Sequence, residues 1–143
     1  MTFIIIMTII IYLLVIAWSW TSLGDTSKAK KILIIFIGMI TIFLITQIVF
    51  SMSKSGINYE NEEIENWVGK IIVFLFTGLN GFVMPFLMKL FKKLQNGEIE
   101  GNIFKVRFIL ILIIFIICLF LECGYMESIQ QGILNVYRGN IEN

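Results

Sequence analysis

Four stretches of the chain run apolar with almost no polar interruption: Phe3 to Trp20, Ile32 to Phe50, Ile71 to Met88 and Phe108 to Leu121. A bilayer core of about 30 Å takes about 20 apolar helical residues, and a lone apolar segment in lipid satisfies its backbone groups internally only as a helix. The pattern therefore predicts an all-α integral membrane protein with four transmembrane helices. The first three runs are long enough unaided. The fourth has 14 uninterrupted residues and recruits its flanks: Arg107 extends its stem along the helix and places its head at the interface, while the segment from Glu122 to Met126 continues outward. With flanks included, the spans fall at about 3–20, 32–50, 67–91 and 103–123, in one domain over 1–143 built as two hairpins. Beyond them Met126, Ile129, Ile133, Val136 and Tyr137 recur at helical spacing. That predicts a separate short amphipathic C-terminal helix over 126–139, lying in the outer interface or on a neighbour.

Charge gives the spans a direction. Eight of the eleven Lys and Arg residues lie in the first and third loops and their flanks: Lys28, Lys30, Lys31, Lys89, Lys92, Lys93, Lys105 and Arg107. The second loop has Lys54 and Lys70 beside Glu60, Glu62, Glu63 and Glu65, and the tail has Arg138 alone. The positive-inside rule then places both basic loops in the cytoplasm and both termini outside, an N-out/C-out topology. Trp18 and Trp20 mark inner span ends, and Trp67 and Tyr125 outer ones. Span one carries Ala17 and Ser19, which resemble a signal-cleavage site, but no basic segment precedes its long apolar run, so it reads as a retained anchor. Abundant Ile with short Lys-rich loops suggests an AT-rich bacterial genome, and hence a multi-pass protein of a bacterial inner or plasma membrane.

Composition narrows the chemistry. At 58% hydrophobic and 15% charged residues, the chain is neither an ordinary soluble domain, at roughly 45–50% and 25%, nor a disordered one. A net charge of +1 offers no field for nucleic acid. With no His at all, the commonest general base and metal ligand is missing. Cys118 and Cys123 are five apart on a helix, a spacing that suits neither a disulfide nor a zinc site. Neither a phosphate-cradling loop nor a nucleophile elbow is found. Neither an enzyme nor a cofactor is expected. The Glu run before span three suits a helix N-terminus, where negative charge is favoured, rather than a calcium loop.

Polar groups inside lipid are costly, so each marks a candidate site. Asn80 is central to span three, within Thr77, Gly78, Asn80, Gly81 and Pro85. On a helix, Lys70, Val73, Thr77, Asn80, Gly81, Met84 and Met88 share a face, with Gly78, Gly81 and Pro85 on an adjoining strip. Pro85 has no N–H for the Gly81 carbonyl, which is expected to stay free beside the Asn80 amide. Such a pair suits an ion or polar solute, and equally suits close helix packing with an interhelical hydrogen bond. Thr8, Tyr12, Val15 and Ser19 form a weaker stripe on span one. Glu122 is placed near the outer interface, or else buried against a Tyr or Thr. Thr41 and Gln47 of span two point in different directions.

Three functions fit these expectations. The first is a homo-oligomeric module that forms a pore or perturbs the bilayer, as small bacterial defence or lysis effectors do. The second is an accessory subunit whose protein partner carries the chemistry. The third is a small ion or solute transporter with a midplane site at Asn80.

Overall fold

In lipid every span is helical whatever its sequence, so what distinguishes the spans is the face each one hides. In the computed structural model, which describes residues 2–54 and 57–142, five helices follow one another. They are α1 (Thr2–Ser22), α2 (Lys28–Ser53), α3 (Glu62–Asn80), α4 (Val83–Gln95) and α5 (Gly101–Glu142), and no strand occurs among the described residues. Four helical segments are long and apolar enough to cross a membrane, α3 and α4 together making the third. Ser55 and Gly56 of the second loop lie outside the described residues.

The third span is the axis of the bundle. Of its most apolar stretch 56% is buried, against 17%, 22% and 0% for the first, second and fourth spans. Helix α1 packs along α3 and α4, α2 along α3, and α5 against α4 and α2. Each outer helix accordingly buries a narrow stripe: Thr8, Val15 and Ser19 on α1, and Ile35, Ile42, Thr46, Val49 and Ser53 on α2. Two apolar cores result. Leu23, Ile35, Ile42, Met84 and Met88 fill the end that carries the basic loops. Val49, Phe50, Val68, Ile72, Met126 and Leu134 fill the other.

The third span differs from the uninterrupted helix over 67–91 that the pattern predicts. It starts at Glu62, where the Asn61 side chain caps the helix by accepting from the Ile64 amide at 2.9 Å and Glu62, Glu63 and Glu65 meet the positive end of the dipole. It then breaks at Gly81–Phe82. Because Pro85 cannot donate, the ladder tightens for one turn. The Phe82 amide donates to the Leu79 carbonyl at 3.2 Å, and the Met84 amide donates to the Gly81 carbonyl at 3.0 Å. The Gly81 oxygen is thus occupied, which corrects the expectation that it stays free for a ligand.

The fourth span and the tail also differ from expectation, being one helix of 42 residues. At 1.5 Å per residue it is about 63 Å long, roughly twice a bilayer core. No proline falls in it, and Gly124, Gly132 and Gly139 have open space around them, so nothing in the sequence terminates it. Its last half docks on the second loop. Gln130, fully buried, donates to the Ser53 hydroxyl at 3.0 Å and accepts from the Tyr59 hydroxyl. Arg138 pairs with Glu60 at 2.9 Å, and Lys54 with Glu65 at 2.6 Å. The buried face here is Met126, Gln130 and Leu134, while Ile129, Val136 and Tyr137 are exposed. At about 100° per residue, Ile129 and Val136 lie well round the helix from the face that Gln130 centres. Of the predicted stripe, Met126 is buried and Ile133 packs against the core, and Gln130 and Leu134 complete the docking face.

Burial raises the Tyr59 phenol above its ordinary value, and the neighbouring Glu65 charge acts in the same direction. A phenol raised in the folded state contributes stability below its unfolded pKa of about 10 that is lost as pH rises through the folded value. The protection of the 126–138 amides, taken relative to intrinsic base-catalysed exchange, is therefore expected to fall above about pH 10. In Tyr59→Phe that fall in protection should be absent. An unchanged profile in that variant would show that Tyr59 does not hold the tail.

Candidate functional site

The break in the third span puts polar groups where an unbroken apolar helix would have none. Asn80, the last residue of α3, is 4% exposed. Its Nδ2 donates to the Thr46 hydroxyl of α2 at 3.1 Å. Thr46 in turn donates to the Ile42 carbonyl at 2.8 Å. An Asn in lipid thereby gains a partner on a neighbouring helix, and the hydroxyl it uses is itself committed.

On the other side of Asn80 stands α5. The Glu122 carboxyl group lies beside the Asn80 amide. Its Oε2 is buried and has no hydrogen-bond partner. Glu122, expected near an interface or against a Tyr or Thr, lies beside Asn80 because the face of α5 that carries it is turned to the third span. Between the α3–α4 break and α5 is a partly open cavity of about 350 Å³. Asn80 and Glu122 border it with little polar surface, and Phe82, Phe86 and Phe115 supply much of the rest. A cavity of that size, apolar with a few polar groups at one side, is the usual form of a small-molecule site.

Gly78 and Gly81 of the segment Thr77 to Pro85 serve packing against α1. A Cβ on Gly78 would come within 2.8 Å of the Tyr12 ring and 3.2 Å of Ile11, and one on Gly81 within 3.0 Å of Val15. Tyr12 is fixed from two sides. Its ring stacks on Phe74 with centroids 4.8 Å apart, and its hydroxyl donates to the Phe74 carbonyl at 2.9 Å. Thr8 is buried on the same stripe, its hydroxyl donating within the helix to the Ile4 carbonyl at 2.7 Å. Thr77 and Pro85 are buried too. The strip of small residues and the Asn80–Glu122 pair therefore face different neighbours, α1 and α5, and only the second borders a cavity.

The basic residues are brought to one end of the bundle but not to one site. Lys30 and Lys92 share a cavity of about 510 Å³ there, and Lys31 lies over the Trp20 ring at 4.9 Å. Lys28, Lys89, Lys105 and Arg107 are exposed, and Lys93 is half-buried. Glu122 has no part in either ion pair, Lys54–Glu65 or Arg138–Glu60, found among the described residues.

Thr46 is the member of the site that reading the sequence missed. Its signal was present: Ile35, Ile42 and Val49 repeat every seven residues on α2, and Thr46 and Ser53 repeat at the same interval on that face. Thr46 and Ser53 each hold a buried amide, Asn80 and Gln130 respectively.

Comparison with known proteins finds no family, no curated protein and no solved structure that matches the chain. The functional reading therefore rests on the geometry of this site.

Because the Tyr12 ring is held twice, Gly78→Ala should strain the α1 contact and cost about 1–3 kcal/mol. Gly132→Ala, in open space on α5, should be neutral or stabilising by roughly 0.5–1 kcal/mol. Thermal unfolding in detergent compares them. Equal midpoints for the two variants would contradict the close packing of α1.

Proposed function

We propose that the chain is a small membrane protein that binds a solute at mid-depth and passes it across the bilayer, with Asn80 and Glu122 as the binding groups. The observation that carries this reading is their meeting on the wall of one cavity, at the point where the third span is broken. Broken helices near the bilayer midplane, with polar groups gathered at the break, are a recurrent way to bind solutes inside membranes. An ionisable side chain at such depth is costly and is retained where it does work. The packing role of Gly78 and Gly81 complements this reading: it seats α1 against the break from the side opposite the cavity.

A second reading is a homo-oligomer that forms a pore or perturbs the bilayer. It is favoured by the fourth span, whose most apolar stretch has no buried residue within the single chain and is free to meet other copies. The two readings differ in the concentration dependence of flux, since a binding site saturates and a pore conducts in proportion to the gradient.

Proteoliposomes on a solid-supported membrane, given concentration jumps of Na⁺, K⁺ and tetramethylammonium, separate them. The expected result is a saturable current for at least one of these cations that disappears in Asn80→Leu while the variant's thermal midpoint shows it folded. A linear leak that survives Asn80→Leu would overturn the site reading in favour of the pore, and no current with any of the three, nor with benzyltrimethylammonium, would overturn both.

A further inference from the structure

The Glu122 carboxylate is the only charged group among the residues that line the 350 Å³ cavity. A carboxylate in apolar surroundings needs a countercharge within a few ångströms to stay ionised, and the two ion pairs of the described residues lie elsewhere, at the second loop. Asn80 covers one side of the carboxyl group, and Oε2 is left buried without a partner. Such a group either holds its proton or takes a positive charge from outside the chain.

The rest of the cavity says what kind of cation fits. A hard divalent metal takes about six to eight oxygen ligands. This wall offers one carboxylate and one amide, so it cannot build such a shell. Phe82, Phe86 and Phe115 instead present aromatic surface, which attracts organic ammonium groups and buries their hydrocarbon. Leu79, Phe86 and Ile114 border the cavity and are also exposed on the outside of the bundle. The mouth therefore opens sideways between α4 and α5, toward the lipid of a surrounding bilayer, and admits molecules already dissolved there.

We infer that the cavity between the α3–α4 break and α5 binds a hydrophobic organic cation, its ammonium group set against Glu122 and Asn80 and its apolar body among the three phenylalanines. This deepens the proposal of a mid-depth solute site and rests on it. Glu122 supplies the charge, Asn80 orients the carboxyl group while tied to Thr46, and the phenylalanines select against small hydrated ions.

The test is isothermal titration of the full chain in detergent with benzyltrimethylammonium and with its uncharged isostere, neopentylbenzene. The expected result is saturable binding of the cation, weakened by about tenfold or more in Glu122→Gln, and much weaker binding of the isostere. Ile114→Trp, which narrows the mouth without touching the carboxyl group, should weaken cation binding as well. It serves as a second readout if Glu122→Gln fails to fold. Equal binding of cation and isostere, or cation binding indifferent to both substitutions, would overturn the cationic ligand and leave a cavity for apolar solutes. Binding of neither by the folded chain would overturn the site itself.

Discussion

One constraint orders the molecule: an amide placed at the middle of an apolar span must find its partner on another helix. Asn80 finds Thr46, and this fixes the register of the second span against the third. Once that register is set, the face of α2 that carries Ile35, Ile42 and Val49 is the face that is buried. Seven residues on from Thr46, Ser53 stands ready to meet Gln130. The bundle is held by two buried amides stacked along one side of α2, about 10 Å apart at 1.5 Å per residue, with apolar side chains between and around them. Interhelical bonds of this kind are individually worth only about 0.6 kcal/mol. Their contribution is to select one register among many that would bury similar apolar area.

The same constraint accounts for α5. Its most apolar stretch has no buried residue, so apolar burial there does little to hold it. It is located at its two ends. Phe104 and Phe108 meet Phe91 of α4 at the basic end, with ring centroids 5.1 and 6.1 Å apart, and Gln130 and Arg138 grip the second loop at the other. Between these anchors the helix bridges a gap, and the gap is the cavity that Glu122 and Asn80 share. A candidate site arises here because α5, although Leu119 and Cys123 pack against the core, leaves a gap beside the α3–α4 break.

Much of this was legible in the sequence. The four apolar runs, the helical class, the central place of Asn80 in the third run, and the stripe Thr8, Tyr12, Val15 and Ser19, buried except for the half-buried Tyr12, all follow from pattern and from the cost of polar groups in lipid. Three features did not follow, each for a physical reason. Pro85 was read for the hydrogen bond it removes, but the chain regained that bond locally through the Met84 amide, which needs the actual backbone path. The tail was read from apolar spacing alone, which finds Met126 and Ile133 of the docking face but not Gln130, whose amide is buried there. The place of Glu122 depended on which face of α5 is turned to the third span. In the last two cases a polar group found a partner distant in sequence, and spacing along one helix cannot reveal such partners.

The account stands on the Asn80–Thr46 bond as the contact that sets the bundle's register. A double-mutant cycle of Thr46→Val and Asn80→Leu, with unfolding free energies measured in bicelles, tests it most directly. The prediction is a coupling energy of about 0.6 kcal/mol, and up to about 1.7 kcal/mol, between the two sites. Strictly additive effects of the two substitutions would contradict it.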